Sequence, residues 1–362
     1  MRKIFLFCLF VFYNIINTNL IFSQGLIIAD HNCINLKNIP ENWITKAKSD
    51  LRIAYGHTSH GSQLVTGLEA LKGTHSGIYQ YSSSGWGYEA GIFLNDFGIE
   101  GAEDLGHYGD LAWVDATCNL LKRDEGCDRN VIIWSWYGGV SDNDEAGIDK
   151  YLNKIDSLEK VFPTVKFVYM TGHLDGTGKD GNLNVLNNRI RNYCINNNKI
   201  LFDFADIESY EPYGSVNLME KNADDACNYD SDGDNEADKN WAEEWMDNNT
   251  NSDLFTESTN CGECAHSISL NCVIKGRALW WLFCRMAGWD GTPLSSNTNE
   301  QSQPFSFNVI PISNSLNLIY KAEQNSYIDI SIYDTKGVLV YKDKKEIVKG
   351  FNSLNINPFI SS

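Results

Sequence analysis

Four of the seven histidines lie in short segments rich in glycine, serine and aspartate. His57 and His60 belong to Gly-His-Thr-Ser-His-Gly at 56–61, directly after an apolar run. His173 belongs to Gly-His-Leu-Asp-Gly at 172–176, and His266 belongs to Glu-Cys-Ala-His-Ser at 263–267. Open α/β sheets place their sites in polar, glycine-bearing turns that follow buried strands. The pattern therefore predicts an enzyme, and among enzymes a hydrolase.

The segments between these motifs predict the elements that position them. Apolar runs without alternation are typical of strands buried on both faces, and they occur at 51–55, 131–136, 165–170 and 200–204. Helical spacing is found at 62–71, 144–161, 182–196 and 273–287. This alternation predicts an α/β fold with a doubly wound, mainly parallel sheet and helices on both faces, a three-layer flavodoxin-like arrangement.

Ser59 is the candidate nucleophile because it follows the first strand at a glycine turn, near the positive end of the next helix. Thr58 and Ser62 compete with it for this role. A serine hydroxyl needs a base, and His266 is the candidate. Glu263, three residues earlier, is the candidate carboxylate that orients the imidazole and stabilises the imidazolium.

In order and placement, these residues resemble the SGNH (GDSL-like) hydrolases over residues 51 to 289, with Gly-His-Thr-Ser where that family has Gly-Asp-Ser. The resemblance implies an esterase with Ser59 as nucleophile, His266 as base and Glu263 as acid. It also implies a glycine and an asparagine as oxyanion donors. The candidates for oxyanion and substrate contacts are His57, His60, Gly85, Gly87, Gly138, Asn143, His173 and Asp175.

Other interpretations stay open at this point. A divalent metal that activates water is one of them, with candidate ligands His57, His60, His173, His266, Asp175 and Asp206. A glycosidase needs two carboxylates, for which Asp175 or Asp206 pairs with Glu208. A carbohydrate-binding protein without activity would stack sugars on Trp86, Trp134 and Trp136.

A separate acidic loop places acids at every second position, which is the ligand spacing of hard-cation loops. It predicts a structural calcium site with the ligands Asp230, Asp232, Asp234, Glu236 and Asp238. No cofactor is expected for catalysis itself.

The N-terminus predicts export, since two basic residues precede a short apolar run and a small residue at Ser23. Residues 1–23 are therefore expected to be a signal peptide, with no membrane span elsewhere. Nine of the ten cysteines follow it, and in an exported chain disulfides are expected. Cys118 and Cys127 flank a turn, and Cys227, Cys261, Cys264 and Cys272 cluster around the third motif.

A catalytic domain is expected at 24–291, a linker at 292–304 and a small β-sandwich at 305–362. The Ile-Tyr-Asp-Thr-Lys-Gly turn at 332–337 resembles the C-terminal sorting domain of type IX secretion, without its final strand and basic tail, so the domain is expected to be truncated or incomplete. The resemblance implies the type IX machinery as partner and a secreted or cell-surface location.

The formal charge of −18 disfavours nucleic acid and anionic membranes as partners and suits a neutral or modified polysaccharide. The expected function is therefore that of a secreted serine hydrolase that cleaves acyl esters, with O-deacetylation of a polysaccharide as the expected reaction.

Overall fold

A computed structural model describes residues 25–292, apart from 86, 88, 89, 97, 98 and 124–127, and five strand segments between 307 and 356. The chain divides into two compact units between Leu294 and Ser295. The predicted signal peptide, most of the predicted linker, Trp86, Cys127 and the turn at 334–337 lie outside the described residues. No helix in the described part of the chain is both long and apolar enough to cross a bilayer.

The first unit alternates strands and helices. Its strands are β1 (Ile27–Ala29), β2 (Arg52–Gly56), β3 (Tyr81–Ser82), β4 (Ile92–Asn95), β5 (Val131–Trp134), β6 (Lys166–Met170), β7 (Ile200–Phe202), β8 (Asn228–Tyr229) and β9 (Lys239–Asn240). Its α-helices are α1 (Glu41–Asp50), α2 (Ser59–Thr74), α3 (Ala112–Leu121), α4 (Glu145–Val161), α5 (Asn182–Asn196), α6 (Phe204–Ile207), α7 (Trp241–Asn248), α8 (Asp253–Thr259) and α9 (Ser269–Met286).

The central sheet has seven parallel strands in the order β1-β7-β6-β5-β2-β4-β3. From β2 the chain moves first towards β3 and β4, and later returns through β5, β6 and β7 in the opposite direction. The strand order therefore reverses between β2 and β5, and ligands of open α/β sheets bind in the crevice at this point. The parallel sheet with helices confirms the predicted α/β, three-layer-like architecture.

Right-handed crossovers in opposite directions place the connecting helices on opposite faces of the sheet. On one face α2 packs against α9, and α1 and α8 also contact α9, whereas α3, α4 and α5 pack together. The α2–α9 crossing depends on two glycines. A Cβ on Gly67 would lie 2.0 Å from the carbonyl oxygen of Cys272, and a Cβ on Gly276 would lie 2.5 Å from Gly67.

The sheet core explains why the strands carry apolar runs without alternation. Every residue of β5 and β7 is buried, as are four of the five in β2 and in β6. Trp134 and Trp136 belong to this core, at 3% and 4% exposure. They therefore cannot serve as sugar-stacking surfaces, and that part of the binding-protein interpretation is wrong.

The second unit contains β10 (Phe307–Ile312), β11 (Ser315–Ala322), β12 (Ser326–Tyr333), β13 (Leu339–Ile347) and β14 (Gly350–Ile356). They form an antiparallel three-stranded sheet, β10-β11-β14, and an antiparallel pair, β12-β13. The antiparallel pairing agrees with the alternating sequence of this region. Its assignment as a sandwich or a sorting domain stays a prediction.

Candidate active site

The turn between β2 and α2 lies at the strand-order reversal and carries Ser59 as the first helical residue. Two glycines permit its tight geometry. A Cβ on Gly56 would lie 2.1 Å from the Trp134 ring, and a Cβ on Gly61 would lie 2.2 Å from Ser135 Oγ. The hydroxyl of Tyr55 donates to the carbonyl of Gly61 at 2.9 Å, which ties the first helical turn to the strand.

Ser59 Oγ lies 3.0 Å from His266 Nε2, although the two residues are 207 positions apart. The two competing hydroxyls are engaged elsewhere. Thr58 Oγ1 donates to Asp104 Oδ2 at 2.9 Å, and Ser62 Oγ donates to the Ser59 carbonyl at 2.6 Å. Of the three candidate hydroxyls, Ser59 is thus the one that faces an imidazole.

The loop that carries His266 is fixed at several points. A disulfide joins Cys264 to Cys272 across it, and Gln63 Nε2 donates to the Ala265 carbonyl at 2.6 Å. His266 itself has a φ of 59°, a left-handed conformation that is uncommon for a residue with a side chain. The loop holds this residue in a strained conformation, which is a frequent property of functional positions.

Three imidazoles form a stack at the site, which we call the imidazole column: His173, His60 and His266. The His60 ring lies 3.7 Å from that of His173 with 4° between the planes, and 4.4 Å from that of His266 with 14°. His60 is buried, and its pKa is lowered, first by burial and also by the neighbouring His173 and His266. The central ring of the column is therefore neutral at physiological pH.

Asp225 supports the column and was missed by the sequence analysis. Its Oδ2 accepts from His60 Nε2 at 2.8 Å and lies 4.0 Å from His173 Nδ1. Burial alone would raise the pKa of Asp225, but the hydrogen bond from His60 and the nearby His173 and Lys275 outweigh burial and lower it. An ionised Asp225 thus accepts from a neutral His60. No sequence signal distinguishes Asp225 from the acidic residues around it.

Glu263 is not brought to the imidazole of His266. Its side chain is exposed, and among the described residues it forms no hydrogen bond or ion pair. The spacing of three residues suggested a contact, but a turn at Ala265 and His266, closed by the N–H of Ser267 on the Cys264 carbonyl, separates the two residues. The prediction that Glu263 orients His266 is therefore wrong for this structure, and the carboxylate of the site is Asp225.

Three of the residues predicted for oxyanion contacts, Gly85, Gly87 and Asn143, are placed or engaged elsewhere. Gly87 donates its N–H to the carbonyls of Lys48 and Gly91, just ahead of β4, so the segment with Gly85 lies at the amino end of the sheet. Asn143 is buried, and its side-chain NH2 donates to the carbonyl of Gly139. Gly85 and Gly87 thus lie at the opposite end of the sheet from Ser59, and the Asn143 amide is engaged with Gly139.

Other polar groups at the site are available to an anion. The N–H groups in the first turn of α2 lack a side-chain cap, because the Thr58 hydroxyl donates to Asp104 instead. Such free N–H groups at the start of a helix can stabilise a negative charge, and Ser59 is the first residue of this helix. Gly138, also predicted for this role, lines a small cavity together with His173.

His57 lies outside the column, where its Nδ1 donates to the Thr58 carbonyl at 3.0 Å and its ring packs against Tyr55.

A fully buried ion pair lies beneath the site. Lys275 Nζ is 2.6 Å from Glu208 Oε2, and both side chains are 0% exposed. Lys275 also donates to Gln63, whose amide holds the His266 loop, and Glu208 accepts from the N–H of Leu174 beside His173. One charged pair therefore connects the α2 turn, the His266 loop and the turn after β6.

The carboxylates expected to form a glycosidase pair are engaged with other groups of the protein. Glu208 has no exposure, and its oxygens accept from Leu174, Lys275 and Asn271. Asp206 pairs with His31, and Asp175 accepts from Thr177 and, at 2.9 Å, from Ser141. Asp175 lines a polar cavity of about 270 Å³ next to the turn after β6, but Ser59 and His266 do not line this cavity, so its predicted contact with the substrate stays a prediction.

The structure gives limited support to a metal at the histidines. His60, His173 and Asp225 place one potential ligand atom each within 4.8 Å of the others. However, a metal lies in the plane of each imidazole that binds it, and the planes of His60 and His173 are parallel. His173 Nδ1 also donates to the Leu174 carbonyl at 2.9 Å. One ring would have to rotate before both could bind the same ion.

In the acidic loop, Asp230, Asp232 and Asp234 lie within ligand distance of one another. Asp230 accepts from the N–H groups of Gly233 and Asn235, and Asp238 accepts from Ser231, whereas Glu236 is exposed. Structural calcium at this loop stays a prediction. Of the clustered cysteines, Cys264 and Cys272 form a disulfide, whereas Cys118 is a free thiol.

Comparisons with protein-family models, with curated proteins and with solved structures returned no match. The resemblance to SGNH hydrolases therefore rests on the residues themselves, and the function has to be argued from the geometry of the site.

Proposed function

We propose that this protein is a serine hydrolase that cleaves acyl esters through an acyl-enzyme on Ser59, with His266 as general base and then general acid. The observation that carries the proposal is the 3.0 Å contact between Ser59 Oγ and His266 Nε2 at the strand-order reversal of the sheet. This is the hydrogen-bond distance that proton transfer from a nucleophilic serine requires.

In the first half of the reaction, Ser59 Oγ attacks the ester carbonyl carbon and its proton moves to His266 Nε2. The first-turn N–H groups of α2 stabilise the oxyanion of the tetrahedral intermediate. The C–O bond to the alcohol then breaks, and His266 returns the proton to the departing alkoxide. In the second half, water gives a proton to His266 and attacks the acyl-enzyme. Collapse of this second intermediate releases the carboxylic acid and restores the proton to Ser59.

The imidazole column replaces the direct carboxylate contact that Glu263 does not make. When His266 becomes an imidazolium, its ring faces the neutral ring of His60 at 4.4 Å. A cation against an aromatic face is stabilised by about 0.5–2 kcal/mol. Asp225 adds to this effect, because its carboxylate accepts from His60 and increases the electron density of that ring.

The test is hydrolysis of p-nitrophenyl acetate by the purified chain. Ser59→Ala is expected to lower kcat/KM by about a thousandfold or more, since removal of a nucleophile leaves only binding and oxyanion stabilisation. Ser62→Ala is the matched control, because it removes a hydroxyl of the same turn that donates to a backbone carbonyl and not to an imidazole. This variant should retain activity within severalfold. Activity that survives Ser59→Ala, or that is lost with EDTA and restored by a divalent metal, would refute the acyl-enzyme.

A further inference from the structure

An exposed aromatic surface adjoins the imidazole column, and the proposed function leaves it unused. Tyr108 is 79% exposed and Tyr137 is 43% exposed, although large apolar side chains are normally covered. His107 lies between them, with ring centroids 6.3 Å from Tyr108 and 5.9 Å from Tyr137. We call these three residues the aromatic shelf.

The shelf is continuous with the catalytic residues. The Tyr137 ring lies 5.6 Å from that of His60, which stacks on His266 beside Ser59. Tyr137 is held there by its position three residues after β5, next to the strand-order reversal. A molecule that covers Tyr137 would therefore extend towards the Ser59 hydroxyl.

The segment that displays Tyr108 is held in place on its amino-terminal side. Leu105 donates its N–H to the Ser135 carbonyl at 2.9 Å, and His107 Nδ1 contacts Asp142 Oδ2 at 2.5 Å. Tyr108 has a φ of 50°, which is an unfavourable conformation for a residue with a side chain. The fold thus maintains a strained backbone in order to project this ring into solvent, and such strain is concentrated at ligand contacts.

The chemistry of the shelf selects its ligand. Flat aromatic faces pack against the C–H face of a sugar ring, and carboxylates accept hydrogen bonds from its hydroxyl groups. The Asp142 carboxylate contacts His107 of the shelf, and the Asp104 carboxylate is near enough to interact electrostatically with the same ring. These carboxylates, and a net charge of −18, repel polyanions. A lipid chain would remove water from the Asp142 carboxylate, whose side chain is 39% exposed.

We infer that the shelf binds a pyranose ring of a neutral polysaccharide, next to the ring whose ester Ser59 cleaves. This inference rests on the proposed function for its substrate class, but the binding itself can be measured without turnover. The inference assigns sugar stacking to tyrosines at the rim of the site and not to the tryptophans named from the sequence, two of which are buried.

The experiment compares Tyr108→Ala and Tyr137→Ala with Tyr213→Ala. Tyr213 is a matched control, since it is 64% exposed and also has a positive φ. It lines a cavity with His75, at the far end of α2, one helix length of about 24 Å from Ser59. Each variant is assayed on acetylated xylan, a neutral polymer, and on p-nitrophenyl acetate.

The ratio of kcat/KM on acetylated xylan to kcat/KM on p-nitrophenyl acetate is expected to fall about fivefold to tenfold in each shelf variant. It should stay at the wild-type value in Tyr213→Ala. The inference that the shelf binds sugar would be overturned by an unchanged ratio in the shelf variants. An equal loss of kcat/KM on both substrates, or the same fall of the ratio in Tyr213→Ala, would overturn it as well.

If the wild type hydrolyses neither substrate, the proposed esterase fails and the shelf is judged by binding alone. Affinity electrophoresis of the wild type in gels that contain acetylated xylan should then show retardation that Tyr108→Ala loses and Tyr213→Ala keeps. No retardation of the wild type, or equal retardation of all variants, would overturn the inference. Stronger retardation by polygalacturonate, an anionic polymer, would overturn it as well.

Discussion

Replacing Lys275 with Met removes the positive member of the buried ion pair while nearly keeping its volume. Both Lys275 and Glu208 are 0% exposed, so the carboxylate left behind cannot be reached by solvent. Glu208 would keep the N–H of Leu174, but its other oxygen would retain only a 3.4 Å contact from Asn271. An uncompensated buried charge of this kind costs about 3–5 kcal/mol.

Glu208→Gln should cost a similar amount, because it leaves the buried Lys275 ammonium without a counter-charge and facing only neutral amide groups. The pKa of Lys275 is already lowered by burial, so the charged form is sustained mainly by Glu208. A domain is stable by only about 5–15 kcal/mol, and each single variant would therefore unfold at much lower urea concentration.

The assay is a double-mutant cycle measured by urea unfolding at pH 7. The double variant Lys275→Met/Glu208→Gln should lose at least about 2 kcal/mol less than the sum of the single losses, since no buried charge remains. The exposed pair Lys46–Asp50, at 48% and 42% side-chain exposure, is the control, and its removal should cost about 0.5 kcal/mol or less. Single losses below 1 kcal/mol at the buried pair, or additive losses in the cycle, would refute the reasoning.

Three further predictions follow from the site and its supports. Asp225→Asn should lower kcat/KM on p-nitrophenyl acetate by about tenfold to a hundredfold, while Glu263→Gln changes it less than twofold; the reverse ranking would restore Glu263 to the mechanism. The folded-state pKa of His60 lies below its ordinary value of 6.5, so the unfolded chain takes up a proton that the folded chain does not. The free energy of unfolding should therefore fall between pH 7.5 and 5.5, and this fall should be shallower in His60→Asn; an equal slope would contradict the assignment. Gly67→Ala should destabilise the protein by about 1–3 kcal/mol, because its Cβ would overlap a carbonyl of α9, whereas Gly73→Ala in the same helix meets nothing within 4 Å and should raise the melting temperature.

The fold was largely predictable because local patterns determine its elements. Helix α5 begins and ends at the predicted residues, and α4 begins after Asp144, which caps it by accepting from the N–H of Gly147 at 2.8 Å. The start of α9 was predicted four residues late, at 273 instead of Ser269. Its first turn contains Asn271, a buried polar residue that contacts Ser267 and Glu208 and interrupts the apolar period.

The site was predictable where a short polar motif carries the residue. Ser59, His60 and His173 lie in motifs that follow strands, and His266 joins them from its own motif in the loop ahead of α9. Asp225 had no comparable signal, because its role depends on a contact across 165 residues of chain. The orientation of Glu263 likewise depends on the path of a loop, which spacing along the chain does not determine.

The bridge between Cys264 and Cys272 has a practical consequence for anyone who produces this protein. Synthesis in a reducing cytosol would yield two thiols at these positions, and the segment with His266 would then be restrained mainly by the Gln63 amide. Batches that differ in oxidation would differ in turnover per molecule, although their elution and circular dichroism would be alike. Thiol titration of each batch is therefore needed before rates are compared.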